Sequence, residues 1–151
     1  MRKFQEVTHG TPKHPDVLTI LPTRGTKYSA GNDFHAKTKL ILPRFKVVIA
    51  WTDVKVFTNC DEYLQVSIRS GLGAKGIIIA NAPGIIDHDY ANNPKNDGNI
   101  GIELLNIGFD GDFIIEEGEK IAQGIFQRYA IADDDAARGD RVGGYGSTGR
   151  V

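Results

Sequence analysis

Hydrophobic residues in this chain alternate with polar ones over short runs. In YLQVSI, Leu64, Val66 and Ile68 face one way while Gln65 and Ser67 face the other. NIGIELL repeats the pattern with Ile100, Ile102 and Leu104. VLTILP, FKVVIAW and GIIIA are continuous apolar runs, the signature of more deeply buried strands. Glycine- and asparagine-rich breaks separate these runs about every ten residues, as expected for strands linked by tight turns. Many short strands with regular turns predict an all-β sandwich or barrel.

One segment fits two periods. In EGEKIAQGIFQRYA, Ile121, Ala122, Ile125, Phe126 and Tyr129 also mark a helical face. Gly118 and Gly124 would weaken a helix by roughly 1 kcal/mol each, so a strand is preferred. Apolar patterning stops near residue 132. A β domain over 1–132 and a flexible C-terminal arm over 133–151, mobile without a ligand, are expected.

At 151 residues the chain can bury one sizeable core. A formal net charge of −1 gives no general pull toward nucleic acid or anionic membrane, so neither is expected as a partner. No apolar run reaches the roughly 18–20 residues of a membrane span, and the N-terminus lacks the apolar stretch of a secretory signal. Cys60 is the only cysteine, which fits a reducing, cytoplasmic setting. His9, His14, His35 and His88 have no zinc-ligand spacing.

Five stretches hold residues suited to chemistry. In SIRSGLGAKG a strand ends at Arg69, and Ser70 and Gly71 open a turn. A guanidinium, a hydroxyl and freed amides suit an anion, although two solvated cations beside a glycine turn read equally well. In NAPGIIDHDY, Pro83-Gly84 predicts a hairpin tip, and Asp87 and Asp89 share a face only if the run is extended. A carboxylate there suits water activation or turn capping, and Tyr90 suits ring stacking or the core. YSAGNDF places Asp33 after a glycine turn. GEKIAQG places Gln123 in an apolar run, where a buried amide needs a partner. The ending GGYGSTGRV carries Tyr145, Gly146 and Ser147 behind Arg138 and Arg141, and suits either a frayed tail or a nucleotide lid.

Taken in order, SAGNDF, RSGLGAKG, GIIDHDY, GEKIAQGIF and GGYGSTG resemble the five motifs of the trimeric dUTP pyrophosphatase (dUTPase) family, closest to its Gram-positive bacterial and phage members. The resemblance implies a jelly-roll homotrimer with shared sites that hydrolyses dUTP to dUMP and pyrophosphate, assisted by Mg²⁺. It implies that Asp87 activates the water and contacts the sugar 3′-hydroxyl. Tyr90 would exclude a 2′-hydroxyl, while Asn81 and the backbone from Gly84 through Ile86 to Asp87 would read uracil. Arg69, Ser70, Gly71 and Gln123 would bind phosphates. Asp33 would lie near the metal through water, and Tyr145, Gly146 and Ser147 would close over the nucleotide. Arg141 is the choice for the γ-phosphate, with Arg138 in reserve.

The chain departs from the family pattern after Tyr90, where ANNPKNDGN is several residues longer. This insertion offers a contact surface for a regulatory protein, a second, non-catalytic hypothesis. A dCTP deaminase, which resembles the same family, needs a glutamate soon after the third motif. None occurs before Glu103.

Overall fold

The computed structural model describes residues 1–8, 12–108, 111–141 and 143–144. Twelve strands are found among them: β1 (Lys3–Glu6), β2 (Thr23–Arg24), β3 (Asn32–His35), β4 (Leu40–Leu42), β5 (Val47–Trp51), β6 (Val54–Phe57), β7 (Glu62–Ile68), β8 (Ile77–Ile79), β9 (Gly84–Ile86), β10 (Gly101–Asn106), β11 (Phe113–Ile115) and β12 (Lys120–Arg128). Helix is confined, among the described residues, to the single turn α1 (Ser70–Gly73) and a 3-10 turn at His88–Tyr90. The all-β expectation agrees with this.

The strands form antiparallel sheets in the orders β2-β3-β12-β7-β9, β5-β10-β8, β1-β6 and β11-β4. One core joins the inner faces of the two larger sheets. Phe34, Leu64, Val66 and Ile121 come from the first, Ala50, Ile77, Ile102 and Leu104 from the second. The alternation in YLQVSI and NIGIELL therefore has its physical cause: Leu64, Val66, Ile102 and Leu104 are buried, and their neighbours along the strand are less so.

The ambiguous segment is strand β12, paired with β7 on one edge and β3 on the other. Gly124 lies where two core side chains press on the backbone. A Cβ there would come within 2.9 Å of Phe34 Cε2 and 3.0 Å of Leu64 Cδ2. The glycine that weakens a helix is the residue this sheet needs for close packing.

Three expectations require correction. VLTILP forms no strand, and Leu18, Ile20 and Leu21 are exposed. Polar ties hold the flanks of that run instead: the Lys13 and His14 amides donate to Asp53, and Thr19 Oγ1 bonds Glu6 and accepts from Lys37 Nζ at 2.8 Å. FKVVIAW yields β5, but Val47 and Ile49 face outward because alternate side chains of the strand point to opposite faces and only the face of Val48 and Ala50 meets the core. Pro83-Gly84 turns the chain but makes no hairpin. β8 pairs with β10 and β9 with β7, so the turn carries the chain from one sheet to the other.

The insertion after Tyr90 is fastened inward. Lys55 Nζ lies 2.9 Å from both Asp97 carboxylate oxygens and donates to Asn92 Oδ1 at 2.8 Å. Asn99, fully buried, donates to Asp53 Oδ1 at 2.7 Å and accepts from the Asp53 amide at 3.0 Å. Beyond β12, residues 129–140 run exposed before Arg141, Gly143 and Gly144 return to the body.

Substituting Gly124→Ala should cost about 1–3 kcal/mol by overpacking, measured as a lower denaturation midpoint at fixed protein concentration. An unchanged midpoint would contradict the packing described around β12.

Candidate active site

β7 has seven residues and organises two separate groups of functional side chains. Its register with β9 sets Leu64 against Ile86 and Val66 against Gly84, which leaves Asp87 near the Tyr63 end. Arg69 follows the opposite end. Six residues of extended chain separate positions 63 and 69, roughly 20 Å.

The first group surrounds a cavity of about 170 Å³ whose walls include Asn81, the Gly84–Asp87 backbone, Tyr90, Ile100 and Ile102. After β9 the chain bends into the 3-10 turn, and His88 Nδ1 lies 3.1 Å from the Thr58 carbonyl oxygen. The bend does not part the two carboxylates. The Arg141 guanidinium bonds Asp87 Oδ2 through Nη2, and its Nε donates to Asp89 Oδ1 at 2.6 Å. Its centre lies 5.8 Å from that of the Tyr90 ring. Arg141 and Gly144 thus border the cavity. Gly144 completes the contact, since a Cβ there would meet Tyr90 Cε2 at 2.6 Å. Tyr90 is 7% exposed, and burial pushes its phenol pKa up.

The second group lies at the Arg69 end. Asp33 on β3 is 2% exposed and held by two cations: Arg69 bonds Oδ1, and Lys120 Nζ sits 2.9 Å from Oδ2 as an ion pair outside hydrogen-bond geometry. Burial alone would raise the Asp33 pKa, but Lys120 and Arg69 outweigh it and hold the carboxyl below its ordinary range. Gln123 stands beside Asp33 in the β12–β3 register, its side chain lying over Gly31. Ser70 and Gly71 are exposed, and a Cβ on Gly71 would meet nothing within 4 Å, so local packing does not demand glycine there. Neither Arg69, Ser70, Gly71 nor Gln123 borders the cavity. Tyr145, Gly146 and Ser147 lie outside the described residues.

Among the described residues, no three His, Cys, Asp or Glu side chains gather as a metal-binding group. The Asp33 carboxylate already serves two cations. No helix of the described residues is long and apolar enough to cross a membrane.

Sequence reasoning did not single out Asp89 as a partner of Arg141, nor Lys120 as a partner of Asp33. Each sits beside a chosen residue in a motif, DHDY and GEKIAQ, and that adjacency was the available signal.

The antiparallel β-sandwich thus carries a cavity bordered by Asp87 and Glu103 and, apart from it, a turn led by Arg69. Residues 19–149 match the family model for dUTPase. The chain is 34% identical over 152 residues to the deoxyuridine 5′-triphosphate nucleotidohydrolase of Lactococcus lactis, covering 99% of this chain and 98% of the relative. It superposes on a dUTPase from Streptococcus mutans with TM-score 0.75 at 30% identity, over 86% of this chain and 98% of that one. A dUTPase from phage phi11 of S. aureus, whose structure coordinates a structural Mg(II) ion, shares the fold at TM-score 0.68 and 19% identity, over 92% and 97% of the two chains. The chain belongs to the dUTPase family, the jelly-roll enzymes that hydrolyse dUTP to dUMP.

Removing the Asp33 carboxylate, as in Asp33→Asn, should lower stability at neutral pH. The deficit should be full above the ordinary value of 3.8 and close as the pH falls further and wild-type Asp33 protonates. Denaturation midpoints of both proteins across pH 7 to 2 test this, and a deficit independent of pH would remove the ion pairs as its cause.

Proposed function

We propose that this protein converts dUTP to dUMP and pyrophosphate through a water activated by Asp87. The supporting observation is the placement of the Asp87 carboxylate on the border of the Tyr90 cavity, bonded by the Arg141 guanidinium. Uracil sits against Asn81 and the backbone of Gly84, Ile85 and Ile86. A fixed set of amides and carbonyls distinguishes uracil from cytosine, whose ring-edge donors and acceptors differ. The deoxyribose lies on Tyr90, with its 3′-hydroxyl toward Asp87.

The α-phosphorus is crowded by anionic oxygens, so catalysis requires cations and amides around the triphosphate. Arg69, Ser70, Gly71 and Gln123 supply them. Because these residues lie at the far end of β7 from Asp87, a second copy of the chain brings them to the cavity, within a homotrimer. The outward apolar side chains Leu18, Ile20, Val47 and Ile49 offer surface for such contacts. Arg141 leaves the two aspartates for the γ-phosphate, which frees Asp87. Tyr145, Gly146 and Ser147 follow and cover the base.

The water oxygen then forms a bond to the α-phosphorus, and the bond to the bridging oxygen breaks. Pyrophosphate departs, and the water proton passes to Asp87. Mg²⁺, when present with the substrate, would offset triphosphate charge. Asp33 acts chiefly by orienting Arg69 and reaches the ion only through water. In the cytoplasm, the reaction limits uracil incorporation into DNA and supplies dUMP for thymidylate synthesis. The inward bonding of residues 91–99 favours a structural role for the insertion over a regulatory contact surface.

Pyrophosphate release should be far faster from dUTP than from dTTP, dCTP or UTP. Asp87→Asn should retain dUTP binding and lower kcat at least about a hundredfold. Near-normal turnover would remove Asp87 as the base. Glu103 also borders the cavity, so ammonia is measured with dCTP, and its release would establish deamination instead.

A further inference from the structure

We propose that Asn96, within the insertion, is a specificity-positioning residue: it locks the Tyr90 hydroxyl into the protein so that the ring offers the sugar an apolar wall. This rests on Tyr90 as the sugar-facing residue, as read above.

The Tyr90 hydroxyl has one proton to donate and lone pairs to accept with. It donates to the Asn99 carbonyl at 3.0 Å, and it accepts from Asn96 Nδ2 at 2.8 Å. Both bonds tie the polar end of Tyr90 to the 96–99 loop. The ring itself borders the cavity beside Ile100 and Ile102, two buried apolar residues. A ribose 2′-hydroxyl placed against this surface would lose water and meet carbon, whereas deoxyribose loses nothing there.

Asn96 is itself held. Its Oδ1 accepts from Asn93 Nδ2 at 2.6 Å and from the Gly98 amide at 3.2 Å. Asn93 Nδ2 also donates to the Tyr90 carbonyl at 2.8 Å, and Asn93 Oδ1 accepts from the Asn96 amide at 3.2 Å. The loop can close this tightly because Gly98 adopts φ 81° against Ala91 and the Tyr90 carbonyl, where a Cβ would come within 2.9 Å of that oxygen. Asn99 and Asp97 then tie the loop to Asp53 and Lys55. The extra residues after Tyr90 thus form a brace for it.

The test measures the ratio of kcat/KM for dUTP to that for UTP. Asn96→Ala should lower it about tenfold by freeing the hydroxyl to serve a 2′-hydroxyl, with dUTP turnover changed little. Tyr90→Phe has no hydroxyl to free. In the Tyr90→Phe background, Asn96→Ala should therefore leave the ratio unchanged. An unchanged ratio in Asn96→Ala, or an equal fall in both backgrounds, would overturn the proposal. Tyr90→Ala separates the two levels. If it collapses discrimination while Asn96→Ala does not, only the brace fails. If it leaves discrimination intact, the sugar-wall reading fails with it. Should Asn96→Ala not fold, Asn96→Ser, too short to span to the hydroxyl, gives the same comparison.

Discussion

The pairing of β7 with β12 on one edge and β9 on the other is the constraint from which the chemistry follows. It places Gln123 level with Ser67 and Asp33, at the end that leads to Arg69. It places Asp87 at the opposite end. A strand cannot be in two places, so one chain presents a cavity bordered by the Asp87 carboxylate and, separately, a cationic turn with its own buttressing carboxylate. The split is a property of the register. Slipping β9 by one residue would exchange the faces of Gly84, Ile85 and Ile86 and dismantle the cavity wall.

A second constraint fixes the cavity's interior. Asp53 is fully buried at φ 52° and accepts from the Lys13 and His14 amides, Lys37 Nζ and Asn99 Nδ2. Burial would raise its pKa, yet these donors hold it below the ordinary range. Leaving such a carboxylate unpaired costs about 3–5 kcal/mol, so its partners keep their places. Through Asn99 that rigidity reaches the Tyr90 hydroxyl, and through Tyr90 the cavity. The arm contributes charge on the other side, where Arg141 shields Asp87 and Asp89 from mutual repulsion.

Much of this was legible in sequence where local pattern determines the outcome. Leu64 and Val66, or Ile102 and Leu104, alternate because one sheet face is buried, and two-residue periodicity reports that directly. β12 was legible once glycine's penalty in helices was weighed. VLTILP misled because apolar content signals burial only if a partner surface exists, and among the described residues none covers Leu18. Pro83-Gly84 signalled a reversal but carried no information on which strands pair. Asp87, Tyr90 and Arg141 could be chosen from their motifs. The Arg141–Asp89 bond, spanning 52 positions, and the Asn96 brace depend on tertiary placement that no spacing encodes.

The central claim is that Asp87 and Arg69 serve one reaction from two copies of the chain. Subunit complementation tests it most directly. Asp87→Asn and Arg69→Ala proteins, each nearly inactive alone, are unfolded together and refolded as a mixture, then assayed for pyrophosphate release from dUTP. Mixed assemblies contain sites with an intact Asp87 from one copy and an intact Arg69 from another, so activity should reappear well above the sum of the two parents. A mixture no more active than its components, with mixed assemblies verified by mass, would contradict the account.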